Sequence, residues 1–385
     1  MASGVSKDKK FKFIQEGKLD ITFLSLVLIL LIIGLVMLFS ASYAYSYENY
    51  GNSYKFIVKQ ALFAGGGIIA MFLTSKINYH VWQRISWLVF GISTMFLVLL
   101  LILPPMVSGM NVKRWFAIGG FSFQPSEIAK FAIIVLFSTL ISANQKLMKS
   151  WKFLVVLFLI LGVTCFFVVK EPHLSATLLI AGIGIVLIFV GGLDKKIAIA
   201  GVVLAIGAVV LVIVTQSTGS IGYGGDRIKY WLDPWADPTG EGFQTIQSLL
   251  AIGSGGFLGR GIGQSRQKYL WVPEPHNDFI FSIVCEELGL LGAIIIILLF
   301  ALLVWRGFTI AMRAADKFGS MLAIGLTFQV GLQAMLNIWV VTNTMPNTGI
   351  GLPFFSYGGT SLLILLAEMG IVLSVSRGAG IEKAN

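Results

Sequence analysis

Tyr269-Leu270-Trp271-Val272-Pro273-Glu274-Pro275-His276-Asn277-Asp278-Phe279-Ile280-Phe281 closes a long polar interval in an otherwise apolar chain and runs straight into a hydrophobic helix. One carboxylate, Asp278, sits at the junction. A carboxylate there is poorly hydrated and costly to keep without a partner or a task. Asp278 either caps the helix that follows, a common use of Asp, or serves as a base in a site at the membrane boundary.

Outward from this stretch, 56% of the 385 residues are hydrophobic and only 12% are charged. A soluble domain carries about 25% charged residues. The charge deficit and the long apolar runs give an all-α fold, a polytopic membrane protein with about ten transmembrane helices. They are expected near 20–42, 56–75, 85–104, 125–143, 153–170, 174–191, 197–215, 278–304, 318–341 and 353–376. Residues 1–19 read as a basic cytoplasmic tail, 20–376 as a single membrane domain, and 377–385 as a second tail. The long loop, 216–277, joins the seventh and eighth helices. Within it, the stretches around Tyr230–Pro238 and Gly242–Ser248 read as short helices joined by turns.

The net charge of +10 fits basic cytoplasmic loops and contact with anionic lipid, not nucleic acid, because no folded basic domain gathers the charges. With both termini cytoplasmic, that side carries about 17 Lys and Arg against about 10 on the other, half of those in the long loop. The long loop and Asp278 are therefore expected outside. Cys165 and Cys285 lie in apolar segments and suggest neither a disulfide nor a metal site. No metal-ligand spacing and no Ser-His-Asp arrangement is present, and no internal repeat supports an inverted-repeat transporter.

On the expected outer side, the candidate anion-binding cations are Lys113, Arg114, Arg227, Arg260, Arg266 and Lys268. The last three lie within a Gly-rich run, Gly253 to Lys268, whose backbone N–H groups could help cradle an anion. Its GxGxxG-like echo lacks a βαβ context and carries no nucleotide argument. Trp115 suits the aromatic belt or a stacking role on a bound ligand. Glu127 and Lys130, three apart at the start of the helix opened by Pro125, share a face and can pair. Glu286 lies about 12 Å along the helix from Asp278 and about 80° around it, a better second carboxylate than Glu287. Glu368 is a further intramembrane acid. Ser356-Tyr357-Gly358-Gly359-Thr360-Ser361 reads as close helix packing through small residues.

Several of these motifs stand in one order: Lys113-Arg114-Trp115, Phe123-Gln124-Pro125-Ser126-Glu127 with Lys130, Arg227 to Pro234, Gly242-Phe243-Gln244, Arg260 to Lys268, Pro273 to Phe281, and Leu352 to Ser361. The set closely resembles the FtsW/RodA (SEDS) family over about residues 15–378. Pro273-Glu274-Pro275 and Gln264 to Lys268 are more similar to FtsW and its sporulation relative than to RodA. His173 departs from the family, where Asp is commoner, as do Asn343 and Thr360.

The resemblance implies a peptidoglycan glycosyltransferase of the bacterial plasma membrane, active on its outer face, that polymerises lipid II beside a class B penicillin-binding protein transpeptidase. It places the family's essential acid on Asp278, its functional tryptophan on Trp115 and its Glu/Lys pair on Glu127 and Lys130. The chemistry agrees. An α-linked diphosphate donor giving a β-linked glycan needs one base on the acceptor hydroxyl and positive charge on the leaving group. A lipid flippase or a scaffold that recruits a transpeptidase are the alternatives. No cofactor is implied, and a divalent cation on the diphosphate stays open.

Overall fold

The computed structural model describes residues 13–103, 114–118, 121–171, 173–193, 225–240 and 242–379. The expected helix over 197–215 lies outside the described residues. So does Lys113, and so does the side chain of Arg227.

Among the described residues nine apolar helices build the bundle: α1 (Ile21–Tyr50), α2 (Lys55–Lys76), α4 (Ser86–Ile102), α5 (Pro125–Ala143), α6 (Trp151–Lys170), α7 (Leu174–Val190), α10 (Ile280–Met312), α11 (Lys317–Val341) and α12 (Gly359–Gly378). Seven of these described helices are long and apolar enough to cross a membrane, with α4 and α7 slightly shorter. Ile32, Leu62, Leu73 and Leu159 stay exposed on the bundle surface, as expected of side chains that meet lipid rather than water. The chain is a multi-pass membrane protein. The short helices are α3 (His80–Arg84), α8 (Gly225–Leu232) and α9 (Phe243–Gly255), the last two within the long loop.

Pro125 starts α5 within its first turn, where its missing N–H costs nothing, and the helix keeps the expected bounds. Two helices run longer than expected. α1 continues through the Tyr- and Ser-rich stretch to Tyr50, ending on Gly51 in the left-handed region. α10 continues through Trp305 to Met312, so the expected basic connector is mostly helix. α12 begins at Gly359 rather than near 353, because Leu352–Gly358 forms an irregular turn. A small hairpin also departs from the all-helical expectation: β1 (Phe116–Ile118) pairs antiparallel with β2 (Phe121–Phe123). The Phe116 and Phe123 rings stack at 5.3 Å, with Phe96 of α4 edge-on to Phe123.

At 33 residues, α10 would be about 50 Å long if continuous. It is broken at Gly289, with φ 67° and ψ −171°. The first fragment, Ile280–Leu288, is a separate half-helix. The loop after α9 re-enters the bundle and mends the break. Arg260 and Gly261 donate their N–H groups to the carbonyls of Glu286 and Glu287, while Leu290 and Leu291 donate to Gly256 and Phe257. A Cβ at Gly289 would strike the Gly259 backbone, and one at Gly259 would strike Glu287 O. Only glycine lets the two backbones cross.

At the opposite end, Asp20 accepts from Phe23 N to cap α1 and pairs with Arg306 of α10 at 2.8 Å. There the N-terminal segment bridges Ile14 to Ile77.

Candidate active site

Asp278 is placed by three segments remote in sequence. Asn337 of α11 donates to the Asp278 carbonyl at 2.6 Å and also to Ile350 O. Ser356 donates to the Asn277 carbonyl at 2.6 Å, and Tyr357 N donates to His276 O. Gln60 of α2 holds the same turn from the far side, donating to Ser356 O and accepting from Gly358 N. The His276 ring is buried against Phe56, Tyr45 and Tyr357, with centroids at 4.3, 4.9 and 5.9 Å. Burial pulls the His276 imidazole down to about 4, so it is a neutral wedge. Glu274 and Phe354 hold left-handed backbone, at φ 45° and 67°, the kind of strain that accumulates at functional sites.

Asp278 does not cap the helix that follows. The residue at the cap of α10 is Phe279, and no side chain caps it. The Asp278 carboxylate instead lines a cavity of about 540 Å³. Among the described residues it has no ion-pair partner. Burial pushes it up to about 6, its own backbone N–H offsets part of that, and the Glu274 charge adds to it.

The same cavity is lined by Arg114, Trp115 and Glu127. Glu127 pairs with Lys130 at 2.9 Å, and Ser361 donates to its other oxygen at 3.4 Å. Lys130 is buried beneath the lining and donates to Gln333, which in turn donates to Gly351 O. Glu368, deeper in α12, accepts from Gln329 at 2.9 Å. The Ser356–Ser361 run does more than pack, since Ser356 and Thr360 hold neighbouring backbone and the run lines the cavity.

Lys59 lines the cavity from the first turns of α2. Sequence reading passed over it. The available signal was Lys59-Gln60, two polar residues within the first turns of a spanning helix, since an ionisable group there invites a functional question. His173 also lines the cavity. Burial, and then the charges of Arg114 and Lys130, pull it down to about 3. It is therefore neutral, and sits beside Gln124 and Ser126 at 3.1 and 3.3 Å. Two residues earlier, Glu171 is fully buried, and burial pushes it up to about 8 against the opposing effect of Arg114.

Four other expected site residues are elsewhere. Arg260, Arg266, Lys268 and Glu286 do not line the cavity. Lys268 is buried and spends its three N–H bonds on Glu287 at 3.0 Å, Ser40 at 3.1 Å and Gly263 O at 2.7 Å. Ser40 donates to Glu287. Glu286 accepts from Ser265 Oγ and from the N–H groups of Arg266 and Gln267, with Arg260 at 3.8 Å. Arg266 thus contributes its backbone there, while its side chain is exposed. These residues knit the loop to α10 rather than face the cavity. Among the described residues no cluster of three or more His, Cys, Asp or Glu is suited to a metal ion.

Residues 21–380 match the family model FtsW/RodA/SpoVE, described as cell cycle protein. Stage V sporulation protein E of Bacillus subtilis is 42% identical over 361 residues, covering 93% of this chain and 97% of that protein. A probable peptidoglycan glycosyltransferase FtsW from a Geobacter species is 38% identical, with 93% and 96% covered. Among solved structures, a chain from a peptidoglycan synthase complex that coordinates polymerization and crosslinking superposes with a TM-score of 0.78 at 27% identity, covering 94% of this chain and 98% of that one. The rod shape determining protein RodA of Thermus thermophilus gives 0.67 at 24% identity, with 93% and 97% covered, and shares the fold.

Proposed function

This chain belongs to the FtsW, RodA and SpoVE family of cell cycle proteins, and from that membership we propose that it is a peptidoglycan glycosyltransferase using Asp278 as general base on lipid II. One observation carries the assignment of the base. Among the described residues Asp278 has neither an ion pair nor a side-chain donor in a cavity that also presents Arg114 and Lys59, whereas its neighbour Glu274 accepts from Asn277 and Glu127 pairs with Lys130. A carboxyl raised to about 6 is mostly ionised at neutral pH yet basic enough to take a proton, which is the compromise general-base catalysis favours.

The acceptor sugar hydroxyl gives its proton to Asp278 as its oxygen attacks the donor's anomeric carbon. The bond from that carbon to the diphosphate oxygen breaks in the same displacement, inverting the centre. The polyprenyl diphosphate leaves with charge that Arg114 and Lys59 are placed to stabilise. Trp115 offers its ring to a sugar face. The Glu127–Lys130 pair anchors the floor from which Gln333 and Ser361 reach the lining.

The basic-residue balance orients the cavity mouth outward, where lipid-linked sugars and not sugar nucleotides are the donors. A chain that superposes on part of a complex coordinating polymerization and crosslinking is suited to work beside a class B penicillin-binding protein, in septal or related wall synthesis. Purified protein given labelled lipid II alone tests the proposal. Glycan polymer from the wild type and none from Asp278→Ala is expected. Unchanged polymer in that variant removes Asp278 as base, and transbilayer lipid movement without polymer favours a transporter.

A further inference from the structure

Glu286, Glu287 and Lys268 are buried, charged and unused by the proposed reaction. Their contacts join three elements. Ser40 brings in α1, Ser265 to Lys268 bring in the loop, and the two glutamates belong to the last turns of the half-helix Ile280–Leu288. Asp278 lies just beyond the other end of that half-helix. The break at Gly289 frees the half-helix from the rest of α10, so its direction is set by what grips its two ends. Asn337 grips the Asp278 end. The charged node and the two hydrogen bonds from Arg260 and Gly261 to the Glu286 and Glu287 carbonyls grip the other.

We propose that the Lys268–Glu287–Glu286 node is a positioning element for the reaction, fixing the half-helix and passing movements of the re-entrant loop Gly256–Lys268 to Asp278. This rests on Asp278 being the base. The lever is short and stiff. A tilt of about 5° over the roughly 12 Å between the node and Asp278 displaces the carboxylate by about 1 Å. A misplacement of that size costs on the order of 100-fold in rate. Stability alone asks less of these residues, since a buried ion pair seldom outperforms a well-packed apolar pair. The loop is also firmly coupled: Lys268, Gln267, Arg266 and Ser265 each give a donor to Glu286 or Glu287. A push on the loop therefore reaches the half-helix through its own carboxylates.

The test uses the purified full chain, labelled lipid II, and the double variant Lys268→Met/Glu287→Gln, which removes the tether without stranding a charge. Amide exchange over residues 276–284 is followed beside polymerisation, with 125–143 as internal control. The double variant should fold, lose about tenfold or more in kcat with KM within about twofold, and exchange faster over 276–284 only. Lys268→Arg, which keeps the charge, should recover part of the rate. Wild-type kcat in the folded double variant, with or without faster exchange, overturns the proposal. If the double variant does not fold, Ser40→Ala/Ser265→Ala, which keeps every charge, is read by the same criteria. Should the wild type make no polymer, the assignment of Asp278 fails by itself, and unchanged exchange in the variant would then show separately that the node does not hold the half-helix.

Discussion

Two regions of this molecule are built from the same ingredients, acids and bases within one half-helix of each other, and they come out opposite. In the node, every charge is spent: Lys268 gives three hydrogen bonds, Glu287 accepts from Ser40, Ser265 and Lys268, and Glu286 accepts from Ser265, Arg266 and Gln267. In the cavity, Asp278 has no ion-pair partner among the described residues, while Lys59 and Arg114 face the same space. Fully satisfied charges hold structure. A carboxylate held without an ion pair keeps chemistry available to a ligand. Charge content alone does not separate the two; accounting for each donor and acceptor does.

The strongest way to break this contrast is to delete one charge from each region. Lys268→Met should cost about 3–5 kcal/mol of stability, because it leaves Glu287 buried without its cation, read as a large drop in melting temperature. Asp278→Asn should leave the melting temperature unchanged or higher while polymerisation falls by about 10²–10⁴-fold. Equal thermal losses in both would erase the distinction. A smaller effect is expected at Lys59→Met, about a tenfold or greater loss in kcat from weaker support of the departing diphosphate, with little thermal change. The pH profile is the gentlest probe. Because burial raises Asp278 to about 6, its base form is lost as pH falls through 6. Turnover should thus rise about tenfold from pH 5 to pH 7 and level off, and the acid limb should vanish from the residual activity of Asp278→Asn.

Much of the bundle was legible because hydrophobic run length and helix signals are local. Pro125 and Glu127 fixed the start of α5, and the apolar run after Asn277 marked the helix that begins at Ile280 but not its break at Gly289. The hairpin was missed because three-residue strands offer too little alternation, although Phe116 to Phe123 around Gly119-Gly120 carries the turn signal. Site membership was only partly legible. Arg114, Trp115, Glu127 and Asp278 converge on the cavity, while Arg260, Arg266, Lys268 and Glu286 gather at the node. A lysine in a Gly-rich loop looks exposed in sequence. What buries Lys268 is the loop's return into the bundle, and that depends on a backbone crossing at Gly259 and Gly289 that no period reveals.

That crossing also constrains how the protein is made. Beyond the turn that begins at Leu290, α10 satisfies its own backbone and can enter lipid as an ordinary helix. The stretch from Phe243 to Leu288 cannot. Its re-entrant turn and its half-helix complete their hydrogen bonds on each other, on Leu290 and Leu291, and on the later residues Asn337, Ser356 and Tyr357. Membrane insertion of this region must therefore follow synthesis of its downstream partner, with α9, the turn and the half-helix entering as one prefolded unit.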